Sequence, residues 1–150
     1  MAVYRDHPYA GVNFSVDIGD GQTEGPQAGL LEVIFPEARL QTQEYRSGNA
    51  KTNEPIKIRT LTEYSNLILT RGVSGSLNWY QWWNEVRNGV AGTSRTVVVR
   101  LLSEDLSEVV LTWKFVRAHP VNLEFSALDA LGEEMLTETL ELAFERFEME

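Results

Sequence analysis

The sequence contains no cysteine, which excludes disulfides and thiolate metal sites. Histidine is almost as scarce. His7 and His119 are the only two, each precedes a proline, and neither has a second ligand at metal-binding spacing. Basic residues are outnumbered 13 to 22 by acidic ones, and a net charge of −9 argues against non-specific attraction to phosphate backbones. No apolar run approaches the length of a membrane span, and the start Met-Ala-Val-Tyr-Arg-Asp-His-Pro lacks the apolar stretch of a secretory signal. The expectation is synthesis and assembly in the cytosol, with no membrane anchor and no specific nucleic-acid partner.

Signatures of catalysis are missing too. No Gly-x-Ser-x-Gly elbow occurs, and Gly72-Val-Ser-Gly75 lacks the lysine and spacing of a phosphate loop. Acidic pairs at Glu104-Asp105 and Glu133-Glu134 leave a paired-acid glycosidase open by counting alone, yet nothing singles out one pair. No catalytic residue, metal or cofactor is expected.

What the chain does have is tryptophan, concentrated. Trp79, Trp82 and Trp83 fall within five residues of one segment that reads as a capped amphipathic helix over about Ser76–Asn88. At about 100° per residue, Trp79, Trp82, Trp83 and Val86 share a stripe, with Asn78, Gln81, Glu85 and Asn88 opposite. Ser76 is the expected N-cap, and Gly89 suits the left-handed residue after the last turn. Such a stripe either plugs a core, each indole burying about 150 to 250 Å², or forms an exposed platform. A carbohydrate-binding β-sandwich would use Trp79, Trp82 and Trp83 as that platform.

The rest reads as strand. Tyr9 to Ile18 alternates, a loop follows from Gly19 to Pro26, and apolar sheet segments resume at Leu30 to Phe35 and continue to about Tyr45. Residues 46–55 are polar and aperiodic, the expected long loop. Tyr64 to Thr70 is read as a short strand, and Thr96–Leu102 with Val109–Val116 as a hairpin turning at Ser103–Ser107. In that hairpin Val109, Leu111, Trp113 and Phe115 share a face, so Trp113 is expected to meet the helical indoles. His119, before Pro120, is expected to end its strand at a turn. The segment from Glu134 to Glu150 is ambiguous. Leu136, Leu140, Ala143, Phe144 and Phe147 fit a helical stripe, whereas Leu140, Leu142 and Phe144 alternate and Thr137 and Thr139 favour strand. The expected architecture is mainly β, a barrel or sandwich of about six to eight strands with one helix, in a single domain spanning 1–150.

The segment from Tyr64 to Ser76, running into Trp82-Trp-Asn-Glu-Val-Arg-Asn-Gly89, resembles the tail tube proteins of contractile phage tails and related injection systems. Upstream, Glu44-Tyr-Arg-Ser-Gly-Asn49 is similar to the motif that opens that family's long loop. Downstream, Val97–Leu102, Val110–Phe115, Ala118-His-Pro120 and Thr137–Ala143 resemble its hairpin, its Pro-ended strand and its final strand. The resemblance covers about Tyr9 to Phe147 and extends to the type VI secretion tube protein.

That resemblance implies a structural, non-enzymatic subunit that forms hexameric rings stacked into a hollow inner tube. Its partners would be further copies of itself, a surrounding sheath, baseplate and spike proteins, a terminator, and cargo in the lumen. A close variant is the adaptor ring that initiates the tube on the baseplate, and a phage tail tube, the one case with a nucleic-acid partner, or a type VI tube is equally compatible with the fold. Within a long loop at about 46–60, the stretch from Arg46 to Pro55 is expected to contact a neighbouring subunit or the next ring, with Glu44, Tyr45, Arg46, Ser47, Gly48, Asn49, Lys51 and Asn53 as the expected interface residues.

Overall fold

The computed structural model describes residues 1–21 and 29–150. The loop expected at Gly19 to Pro26 therefore lies mostly outside the described residues. In chain order the elements are β1 (Phe14–Asp17), β2 (Glu32–Ile34), β3 (Ala38–Tyr45), β4 (Ile56–Tyr64), β5 (Leu67–Gly72), α1 (Asn78–Arg87), β6 (Arg95–Leu102), β7 (Val109–Phe125), β8 (Thr137–Ala143) and β9 (Arg146–Met149). The mainly β expectation holds. Seven strands form one antiparallel sheet in the order β1-β6-β7-β8-β5-β2, with β9 also on β7, and β3 and β4 make a separate two-stranded sheet. The large sheet is open, with β1 and β2 at its edges, so the described residues do not close a barrel.

β7 organises this sheet because it serves two sets of partners. Its first half pairs with β6 and β9, and its second half pairs with β8 from His119 onward. The bend between them lies at Arg117, whose φ is +56°, and the register shifts again between Pro120 and Asn122. A proline lacks the N–H that a regular ladder needs and is accommodated at such an irregularity. His119 therefore does not end the strand, contrary to the sequence expectation. β7 runs on to Phe125.

The two halves of the sheet and the helix enclose one core. In β5 and β8 the inward residues alternate, so Leu67 faces Leu142 and Leu69 faces Leu140, all fully buried. From the other half come Val16, Val97, Val99 and Phe115, while α1 contributes Trp79 and Trp82. This alternation settles the C-terminal segment as strand. A strand beside β5 satisfies every backbone group through the ladder, and tertiary pairing overrides a helical stripe that is equally apolar. Phe144 and Phe147 still pack on the core, at 5.0 and 6.1 Å from the Phe115 ring.

Other expectations shift. The N-terminal strand is only Phe14–Asp17, and the one expected over Leu30 to Phe35 is only Glu32–Ile34. Instead of one strand from Tyr64 to Thr70, β4 ends at Tyr64 and β5 begins at Leu67. On β7, Val110 and Thr112 are buried on the face opposite Phe115, while Val109 is exposed. Both chain termini run beside this part of β7. Val3 N–H donates to Val110 O (2.9 Å), and Thr112 and Glu150 exchange two backbone bonds. Trp113 does not meet the helical indoles; its ring lies 4.6 Å from Phe35.

At the helix, Trp79 and Trp82 are sealed, 1% and 0% exposed, whereas Trp83 and Val86 are half-buried at the margin. The Trp82 indole N–H donates to Thr93 O at 2.8 Å, which satisfies its one polar atom inside the core. Trp83 carries the Arg87 guanidinium over its ring at 4.5 Å. Gly89 takes the expected left-handed conformation, φ +71°. Ser76 is not the cap. Its hydroxyl instead donates to Asn78 Oδ1 (3.0 Å), the oxygen that also accepts from Trp79 N–H (2.9 Å) and from Arg71 Nη2 (2.7 Å).

Candidate assembly interface

β3 and β4 form a hairpin that stands away from the core. Every residue of both strands is exposed except Tyr64 at the root. That root is firmly tied. Glu37 N–H donates to Ser65 Oγ (2.7 Å), Ser65 N–H donates to Glu37 O (3.1 Å), and the Tyr64 ring lies 5.2 Å from Phe144 and 5.5 Å from Phe147. Beyond the root, among the described residues, the two strands pair only with each other. An isolated two-stranded hairpin is marginal in water at best.

The pairing register gives the hairpin two different faces. Tyr45 is opposite Ile56 and Gln43 opposite Ile58, so three large side chains share one side near the tip. The other side carries Glu44 opposite Lys57 and Thr42 opposite Arg59. A bulge between Leu40 and Thr42 separates this distal part from the root, and Thr60 Oγ1 donates to Gln41 O there (3.2 Å).

The residues expected to make the interface lie at the hairpin's far end. Glu44 and Tyr45 close β3, while Arg46, Ser47, Gly48, Asn49, Lys51 and Asn53 sit in the connection of residues 46–55. That connection is locally ordered by Ala50 N–H to Ser47 O (3.0 Å) and Arg46 Nε to Thr52 O (3.1 Å). The loop expected to reach residue 60 is shorter, because β4 begins at Ile56. Sequence reasoning missed Ile56 and Ile58 as surface residues. The signal was their alternation with Lys57 and Arg59, a strand pattern with no core segment to face.

Elsewhere, the sealed Trp79 and Trp82 remove the sugar platform, which required exposed indoles. Among the described residues, no group of three or more His, Asp or Glu side chains is placed to hold a metal ion. No helix of the described residues is long and apolar enough to cross a membrane.

The model of the T4-like virus tail tube protein gp19 family matches residues 10–148. The chain belongs to that family. It is a tail tube protein, a structural component of a phage-tail-like particle. A search of curated protein sequences found no match.

Solved structures share the fold of this tail tube protein. A chain of the anti-feeding prophage baseplate, 6-fold symmetrised, superposes with a TM-score of 0.82 at 24% identity, covering 97% of both chains. A chain of the PVC sheath–tube complex, from an extracellular contractile injection system in its extended state, gives 0.83 at 21% identity, covering 97% of this chain and 93% of that one. Hcp1 from Flavobacterium johnsoniae gives 0.57 at 19% identity, covering 91% and 93%.

Proposed function

We propose that this tail tube protein is the inner tube subunit of a contractile injection system. Copies form hexameric rings that stack into a hollow conduit, a sheath surrounds the tube, and sheath contraction drives it and any lumen cargo outward. The protein has no enzymatic role. Assembly takes place in the bacterial cytoplasm, on a baseplate and spike at one end, and a terminator closes the other.

The observation that carries this reading is the β3–β4 hairpin, two long strands with exposed faces and exposed edges attached to an otherwise closed core. Strands left unpaired on a surface template association with other chains. In a ring or stack of identical copies the association is specific and heterologous, and therefore propagates. The likeness to chains of sheath–tube, terminator and baseplate structures supports the same reading. Likeness to the baseplate chain also favours a second reading, the adaptor ring that starts the tube.

Replacing residues 46–55 by a two-residue turn tests the interface. Circular dichroism should report a folded protein, and electron microscopy should show no tubes. Intact tubes from this variant would refute the assignment of Arg46, Ser47, Gly48, Asn49, Lys51 and Asn53 as interface residues, and tubes from a Glu44→Ala, Tyr45→Ala variant would do the same for Glu44 and Tyr45.

A further inference from the structure

An apolar hollow lies beside the start of the tryptophan helix. Val73, Leu77, Tyr80 and Phe125, all exposed, line a cavity of about 310 Å³ whose wall also includes the buried Glu138. Apolar side chains gathered at a surface in this way mark a contact site. A second apolar group stands next to it. Leu128 and Leu131, in the connection of residues 126–136 between β7 and β8, are 87% and 94% exposed.

Both ends of that connection are anchored at the rim of the cavity. Phe125, which ends β7, is itself part of the wall, and the connection starts with the next residue. At the return, Val73 N–H donates to Leu136 O (3.0 Å), and the Met135 sulfur lies over Gly72, 3.5 Å from where a Cβ would stand. Ser126 and Thr137 fasten the two ends to each other, through Ser126 N–H to Thr137 O and Thr137 N–H to Ser126 Oγ, both at 2.9 Å. Between these feet the chain is shaped by its own bonds, Leu131 N–H to Asp129 Oδ1 and Gly132 N–H to Asp129 O, both at 3.0 Å. It arches around an open space of about 560 Å³ bounded by its own residues, among them Ser126, Asp129, Glu133 and Met135.

Fixed feet and an arch with room beneath it are the parts of a hinged closure. Leu128 is three residues from Phe125, a reach of about 10 Å, and the cavity begins at Phe125 itself. Lowering the arch toward Val73 and Leu77 brings both leucines onto four apolar side chains. Asp129, Glu133 and Glu134 occupy other positions of the arch, so closure need not take a carboxylate out of water.

We propose that residues 126–136 are a lid that closes over the cavity of Val73, Leu77, Tyr80 and Phe125, with Leu128 and Leu131 as its inner face. The structure describes the open state. Closing withdraws these apolar side chains from the surface and shields Glu138, which pairs with Arg71, while opening presents them again. The occupant of the cavity is a segment of the same chain, so the device works within one subunit and does not depend on how copies assemble.

The absence of native cysteine makes the test direct. A disulfide requires Cα atoms within about 7 Å. The full chain carrying Leu77→Cys and Leu131→Cys, treated with a mild thiol oxidant, should lose both free thiols and run as one cross-linked chain on a denaturing gel. A control pair, Leu106→Cys with Leu131→Cys, should keep its thiols. Free thiols in the first pair, linkage only between chains, or equal linkage in both pairs would each overturn the lid. A second measurement needs no cross-link. Leu128→Asp with Leu131→Asp removes the inner face of the lid, so binding of anilinonaphthalene sulfonate should rise severalfold over the unaltered chain as the cavity stays uncovered. Dye fluorescence that is unchanged, or that falls because two exposed leucines are gone, contradicts the proposal, with circular dichroism confirming the fold.

Discussion

Arg71 and Glu138 lie directly opposite each other on β5 and β8 and form an ion pair inside the core, with side chains 0% and 5% exposed. They continue the inward row of Leu67–Leu142 and Leu69–Leu140, so an ionic rung ends a ladder of leucines. Arg71 also reaches Asn78 Oδ1 at 2.7 Å and Ser76 O at 3.4 Å, and stacks 4.0 Å over Trp79. One guanidinium thus joins two strands to the start of the tryptophan helix.

Glu138→Ala removes the Glu138 carboxylate from this buried pair and should destabilise the protein by about 3 to 5 kcal/mol. Urea unfolding followed by tryptophan emission measures it. Glu138→Gln, which keeps a hydrogen-bond acceptor, should lose less.

Trp82→Ala removes one of the two sealed indoles of α1 together with its bond to Thr93 O, and should cost about 3 to 5 kcal/mol. The indoles also make an optical prediction. Iodide should quench Trp83 partly and leave Trp79 and Trp82 dark to it, as comparison of the intact protein with Trp83→Phe will show.

The helix exit offers a smaller, local change. Gly89 has φ +71° and open space where a Cβ would stand, so Gly89→Ala meets only the left-handed backbone penalty, about 1 to 2 kcal/mol. Thermal unfolding should shift down by a few degrees with the fold unchanged.

How far such features were legible in the sequence depended on whether their partners were local. Gly89 was readable because a left-handed exit is a property of one residue and its helix. The cap was not, because Asn78 Oδ1 is claimed by Arg71 from β5, which no reading of residues 76–79 contains. Thr137 and Thr139 hinted at strand, but the choice was made by pairing with β5, a segment some seventy residues earlier. Trp113 was misplaced for the same reason. Its partner Phe35 comes from the segment after β2, whose place in space depends on the whole sheet order. The hairpin's distal face escaped notice because Ile56 and Ile58 look like core residues, and their exposure follows only from the pairing of β3 with β4 away from the core.

Arg5 ties the N-terminal segment to the turn after β6 through a paired contact with Glu104, at 2.6 and 2.9 Å, and stacks over Tyr9 at 3.8 Å. The Arg5 guanidinium holds the Glu104 carboxyl down at about 2, against an ordinary value of 4.5. Because the folded value is the lower one, this tether is fully present above about pH 4.5 and is lost as pH falls through about 2. Amide exchange of residues 3–10 should rise over that window, and Arg5→Ala should raise it already at neutral pH.

The state of assembly of the purified chain bears most directly on the proposed role as a ring-forming tube subunit. Native mass spectrometry paired with negative-stain electron microscopy should give species of six times 17.0 kDa and six-fold rings, alone or in stacks. A monomer, or a closed two-fold dimer, persisting at every concentration would contradict the account.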